Sequence, residues 1–219
     1  MARTKTTYSR LAAGYLFPEI ARRTRLFQED HPDANILRLG IGDTTEPLPG
    51  PIADALAESA RGMATENGYS GYGDAEGTPG LRRAIAESYR AWNVEVDPDD
   101  VFVSDGAKPD SSNIQSIFSI DNVVAIQDPA YPVYVDSNVI AGRTGEAQDG
   151  YYQGLVYMPC TEANGFFPDL PRDKVDLIYI CSPNNPTGAV ATHRKLREFV
   201  EYALARKAVI IFDSAYAVY

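Results

Sequence analysis

A chain of 219 residues has the length of one large domain or one and a half ordinary ones, ample for a buried core. Hydrophobic residues at 44% and charged residues at 23% exclude disorder or low complexity as the main description. Twenty Lys plus Arg against thirty Asp plus Glu leave a net charge of −10, which argues against nucleic acid or an anionic membrane surface as the main partner.

Cys160 and Cys181 sit in apolar settings without CxxC or Cys/His ligand spacing, so buried reduced thiols are expected, with no disulfide framework and no metal. The Met1-Ala2-Arg3-Thr4-Lys5 start has no apolar leader core, and no apolar run has membrane-spanning length. A cytoplasmic location is the expectation.

In chain order, Leu16 to Asp30 carries Phe17, Ile20, Arg23 and Phe27 at helical spacing, with Pro18 in the first turn. Ile36 to Leu39 reads as a short strand ending in Gly40-Ile41-Gly42. That lone G-x-G lacks the third glycine of a dinucleotide fingerprint. Pro51 to Met63 predicts a helix with Ile52, Ala55, Leu56 and Ser59 on one face. Tyr69 to Gly77 is too rich in glycine for a regular element, which makes Tyr69 and Tyr72 loop residues. An amphipathic helix follows through Leu81, Ile85, Ser88, Tyr89 and Trp92. Val101 to Ser104 predicts a strand, and Asp105-Gly106-Ala107-Lys108 a tight turn into a helix carrying Ile114, Ile117 and Phe118. Such a turn is either a plain helix cap or an anion site, and the Walker A spacing is absent.

Val123 to Ile126 predicts a buried strand closed by Asp128-Pro129-Ala130-Tyr131-Pro132, where Tyr131 is either a core ring or a face offered to a planar heterocycle. Gly142 to Gly154 reads as a loop and Tyr157 to Cys160 as a weak strand. Leu177-Ile178-Tyr179-Ile180 is a strand covered on both faces that stops in Ser182-Pro183-Asn184-Asn185-Pro186-Thr187-Gly188. Two prolines make the Asn185 amide nearly rigid, and the carboxyl edge of a buried sheet is where open α/β folds hold ligands. Thr192 to Lys207 predicts a covering helix with Leu196, Phe199, Val200, Ala203 and Leu204 inward, while His193 and His31 read as solvated surface. Ala208 to Phe212 repeats the strand, ending in Asp213-Ser214-Ala215-Tyr216.

Taken together, SPNNPTG followed by a strand ending in D-x-x-Y resembles the fold-type I pyridoxal phosphate aminotransferases. The match extends to Y-x-x-Y-G-x-x-x-G at residues 69–77 and D-P-x-Y-P at residues 128–132. Gly14-Tyr15-Leu16-Phe17-Pro18-Glu19-Ile20 with Leu39-Gly40-Ile41-Gly42-Asp43 and Thr45-Glu46-Pro47-Leu48-Pro49 resembles the LL-diaminopimelate aminotransferases within that family. The resemblance implies that Asp213 pairs with the pyridinium nitrogen, Asn185 and Tyr216 bind the phenolic oxygen, and Tyr131 stacks on the ring. It also implies that Gly106, Ala107 and Lys108 hold the phosphate, and that Tyr72 donates to a phosphate, commonly the neighbouring subunit's. Tyr15, the Gly42 backbone, Lys108, Tyr131 and Asn185 would meet the substrate. An exposed turn remains the plain reading for Tyr72, and an arm packed on a partner subunit for Tyr15.

The expected fold is α/β, the mostly parallel sheet of the family's large domain in incomplete form. Residues 1–50 would be an N-terminal arm and part of a small domain, and residues 51–219 the incomplete cofactor domain. The implied reaction moves an amino group between LL-diaminopimelate and 2-oxoglutarate by a ping-pong route, in a homodimer when full length. The alternatives are another fold-type I aminotransferase of different amino-acid specificity, or a non-catalytic aminotransferase-like binding domain. None of the five lysines, Lys5, Lys108, Lys174, Lys195 and Lys207, stands where the family keeps its Schiff-base lysine, which follows D-x-x-Y. No catalytic residue is therefore assigned. The expectation is a truncated chain that by itself binds the cofactor poorly, catalyses no transfer and tends to aggregate.

Overall fold

A computed structural model describes residues 2–11, 16–38 and 46–219, with the side chains of residues 16 and 17 left aside. Tyr15 and Gly42 lie outside the described residues. The helices are α1 (Leu16–Asp30), α2 (Gly50–Gly62), α3 (Pro79–Tyr89), α4 (Ala107–Asn113), α5 (Pro132–Ala141) and α6 (His193–Arg206). The strands are β1 (Val124–Asp128), β2 (Ala147–Gln148), β3 (Tyr151–Tyr152), β4 (Leu155–Pro159), β5 (Leu177–Cys181) and β6 (Val209–Asp213). Contacts divide the chain into two compact units, Met1–Ala13 with Ser104–Tyr219, and Gly14–Val103.

The first unit is built on a four-stranded parallel sheet in the order β4-β1-β5-β6. Period-two alternation sorts its side chains. Ala125, Ile178 and Ile180 face one way, onto Phe199 of α6, Phe167, Val175 and Met158. Val124, Ile126, Leu177, Tyr179 and Cys181 face the other way, with Tyr134 of α5 and Phe118. All five residues of β5 are buried, as both covered faces require. Thr192 caps α6 by accepting from Lys195 N–H at 3.2 Å, and Lys207 ends it in a left-handed turn at φ 57°. The N-terminal residues belong to this unit too. Lys5 Nζ donates to the Ile140 and Ala141 carbonyls at the end of α5, and Tyr152 Oη donates to the Arg10 carbonyl at 2.8 Å.

The second unit holds α1, α2 and α3. Arg82 of α3 ties down the following segment by donating to the Pro98 and Val101 carbonyls, both at 3.0 Å. Gly77, at φ +103°, lies against Val103, where a Cβ would come within 2.7 Å of that side chain.

Several expectations are corrected. Val101 to Ser104 is not a strand: an apolar extended segment becomes one only beside another strand, and here Val103 N–H donates to the Glu76 carbonyl at 2.8 Å. Ile36 to Arg38 is likewise irregular, and Leu39 lies outside the described residues. Gly142 to Gly154 is not merely a loop, because β2 and β3 pair in it antiparallel. On α6, Phe199 and Ala203 are buried, whereas Val200 is 49% and Leu204 76% exposed: the buried stripe is narrower than the apolar one. The Ile52, Ala55, Leu56 and Ser59 face of α2 is exposed, with no buried residue in that helix.

Phe199 is 1% exposed and meets Phe167 edge to face at 5.9 Å. Phe199→Ala is expected to lower the unfolding free energy by about 3–5 kcal/mol in urea titration, and Leu204→Ala to change it by no more than about 0.5 kcal/mol.

Candidate functional site

The order β4-β1-β5-β6 makes the chain step outward from β1 to β4 and then return to the other side of β1. Open α/β sheets bind ligands where the order reverses, outside the carboxyl ends of the strands. At that edge β1 gives way to Pro129-Ala130-Tyr131, and Pro132 opens α5 at its first position. Cys181 of β5 lies opposite Asp213 of β6, and Ser182 N–H donates to the Asp213 carbonyl at 3.1 Å, so the segments after these two strands begin side by side.

The turn after β5 is held from inside. Asn184, 3% exposed, donates from Nδ2 to the Pro129 carbonyl at 3.3 Å and to Thr187 Oγ1 at 2.9 Å. Its carbonyl accepts from Gly188 N–H at 2.7 Å, and Gly188 adopts φ +71°. Asn184 thus anchors the turn while its neighbour Asn185 stays half-buried at the edge.

The segment that continues from helix α4 past Asn113 is held from behind. Arg143 is a buried guanidinium that donates to the Gln115 and Phe118 carbonyls at 2.9 and 2.7 Å, to the Ser119 carbonyl and to the Gln115 side chain. Burial lowers its pKa from the ordinary guanidinium value. Tyr179 Oη adds a bond to the Ser111 carbonyl at 3.1 Å. At the front, Gly106 takes φ +123° and its N–H donates to Ser104 Oγ, setting the start of α4.

These supports close a cavity of about 150 Å³ lined by Ala107, Lys108, Tyr131, Asn185, Asp213 and Tyr216. Six of the residues read from the sequence as cofactor contacts therefore share one pocket. Tyr72 lies in the second unit, on the coil between α2 and α3, with its ring exposed. Tyr134, Cys181 and Ala215 also line the pocket and were not anticipated. Asp213 Oδ1 accepts from Ala215 N–H at 2.9 Å, and Oδ2 accepts from Tyr134 Oη at 2.6 Å. A second cavity of about 320 Å³ lies between α4 and α5, with Lys108 and Asp136 in its wall. Burial raises the pKa of the Asp136 carboxyl, and the Lys108 cation opposes that rise.

Lys108 is the single lysine in either cavity wall. Lys5 bonds the end of α5, Lys195 pairs with Asp169 at 2.7 Å, Lys174 lies 3.8 Å from Asp176 and Lys207 ends α6. Among the described residues no cluster of three or more metal-ligating side chains occurs, and no helix is long and apolar enough to cross a membrane.

Cys160 and Cys181 are free and buried, and burial raises the pKa of both thiols. Since the thiolate is the reactive form, neither should label with a thiol-reactive disulfide at pH 8 in the folded chain. Both should label once urea unfolds it, and rapid labelling of Cys181 in the native state would contradict the packing at the end of β5.

Similarity to known proteins runs along the whole chain. Residues 34–219 match the family model for aminotransferase class I and II. The structure of L,L-diaminopimelate aminotransferase from Chlamydomonas reinhardtii is similar over 100% of this chain and 54% of its own, with 48% identity and a TM-score of 0.91. An aromatic aminotransferase from Pyrococcus horikoshii is 27% identical over 85% of this chain and 48% of its own, at a TM-score of 0.69. An alanine aminotransferase from Pyrococcus furiosus, at 24% identity and a TM-score of 0.80 over 99% of this chain and 53% of its own, shares the fold. The chain thus spans about half the length of the structures it matches. With a family model covering most of its residues and a relative 48% identical along all of it, the chain belongs to the class I and II aminotransferases, a family that works with pyridoxal phosphate.

Proposed function

We propose that the protein carrying this chain transfers an amino group between LL-diaminopimelate and 2-oxoglutarate, with pyridoxal phosphate held in the pocket at the carboxyl edge of the sheet. The observation that carries this reading is the meeting of Lys108, Tyr131, Asn185, Asp213 and Tyr216, from four separate segments, around one cavity. The choice of donor is supported by the 48% identity to the Chlamydomonas enzyme and by the motifs of the first fifty residues.

The donor set suits the cofactor. Asp213 presents a carboxylate to a ring nitrogen that must keep its proton, and charge pairing favours that protonated form. Asn185 and Tyr216 offer an amide and a phenol to the phenolic oxygen, and Tyr131 offers a ring face. Lys108 supplies the positive charge for the phosphate and also lies where a substrate carboxylate can reach it. When bound, pyridoxal phosphate provides an electron sink for the charge that develops at the substrate α-carbon. The chain's own groups bind, orient and hold a proton at the ring nitrogen.

In the same reading Tyr72 reaches a phosphate, that of the neighbouring subunit in a homodimer, and Tyr15 and the Gly42 backbone meet the substrate. Residues 1–50 then serve as arm and part of a small domain.

In the protein carrying this chain, Asp213→Ala is expected to weaken pyridoxal phosphate binding by tenfold or more, since losing a charge pair of about 1.4 kcal/mol already gives that factor. Equilibrium dialysis measures it, and unchanged affinity would remove the cofactor assignment. In the protein carrying this chain, LL-diaminopimelate should be turned over in preference to aromatic, alanine or aspartate donors. Preference for one of those would leave the aminotransferase reading in place and overturn the substrate.

A further inference from the structure

The roles above leave one buried phenol unused. Tyr134 is 1% exposed, and its Oη donates to Asp213 Oδ2 at 2.6 Å. Burial, then the hydrogen bond to Asp213 and the charge of that carboxylate, push the phenol pKa far above its ordinary value, so it stays protonated and acts toward Asp213 as a donor. Ala215 N–H holds the other carboxylate oxygen at 2.9 Å. Two donors on two oxygens fix the plane of the carboxylate and thereby the direction of its remaining lone pairs.

The ring that carries the phenol is itself clamped. It stacks on Tyr179 at 4.9 Å and 24°, and Tyr131 meets it edge to face at 5.8 Å and 82°. Tyr179 is anchored in turn by its hydroxyl on the Ser111 carbonyl at 3.1 Å, within α4. Tyr134 also occupies the first turn of α5, just after the Tyr131-Pro132 step that starts this helix. The group that fixes Asp213 therefore packs against the ring that would cover the cofactor and against a strand bonded to α4, the helix that carries Lys108.

We propose that Tyr134 is the positioning residue of Asp213, orienting its carboxylate toward the ring nitrogen of the bound cofactor through the Oη–Oδ2 hydrogen bond. The proposal rests on the cofactor reading of the pocket and adds a residue to it. Tyr134 acts through Asp213 and does not touch the cofactor's reacting atoms.

The test is a double-mutant cycle on the protein that carries this chain, with pyridoxal phosphate as the probe and far-ultraviolet circular dichroism as a check that each variant keeps its fold. Tyr134→Phe should weaken binding about tenfold when Asp213 is present, the size of a lost hydrogen bond to a charged group. In the Asp213→Asn background it should weaken binding less than about twofold. Equal losses in both backgrounds would make Tyr134 a packing residue and overturn the proposal. A cofactor-free readout runs alongside: the labelled carboxyl-carbon resonance of Asp213, identified by its loss in Asp213→Asn, should move in Tyr134→Phe. A resonance that stays in place overturns the proposal whether or not the cofactor binds. If the unaltered protein that carries this chain takes up no pyridoxal phosphate but the resonance moves, the cofactor reading fails while Tyr134 keeps its hold on Asp213.

Discussion

The structure depends on burying β5 on both of its faces. Leu177 to Cys181 run between two apolar layers, so no polar side chain can be carried within the strand without losing its water, and polar groups must gather where the strand stops. Parallel pairing then sets the location. Because β1, β5 and β6 point the same way, the residues that follow each of them emerge at one edge, and the register of Cys181 against Asp213 keeps two of those exits adjacent. The pocket is thus a consequence of strand direction, with helix α4 closing its open side.

The pocket wall carries one cation, Lys108, and one carboxylate, Asp213, within a chain that is acidic overall. A molecule of net charge −10 repels an anionic ligand at long range, so a phosphate or carboxylate must be drawn by short-range groups. Lys108 is the local cation, and the remaining lysines are engaged elsewhere in the fold. The buried guanidinium of Arg143 contributes shape in place of local charge pairing, since carbonyl and amide oxygens accept its protons and hold the segment after α4 in place.

Much of the site could be read in the sequence, because strand ends announce themselves: Ile180 to Ser182 and Phe212 to Ser214 switch from apolar to polar within one or two residues. The hairpin of β2 and β3 was missed although Asp149-Gly150, with φ of +52° and +87°, is the pair that a tight hairpin turn favours. Two residues per strand give too short an alternation to register. Helix α5 escaped for the opposite reason. Val133, Tyr134, Ser137, Asn138 and Val139 are all buried, so it has no polar face to produce a helical period, and only Pro132 at its start and Gly142 at its end marked it. With α5 unseen, Tyr134 could not be placed beside Asp213. The strand expected at residues 101–104 shows the limit of local reading, since pairing belongs to two segments and propensity to one.

The packing of residues 2–11 on α5 and on Tyr152 changes the topology of everything between. Residues 14–103 leave the first unit and come back to it, so they form an insertion closed at both ends rather than a domain strung on a single tether. Loop-closure entropy grows only with the logarithm of length, which makes such an insertion inexpensive to hold. Its return point enters the first unit at Ser104, next to Gly106 at φ +123° and Lys108 in the pocket wall. The backbone that joins the two units therefore runs within four residues of Lys108, the cation in the pocket wall.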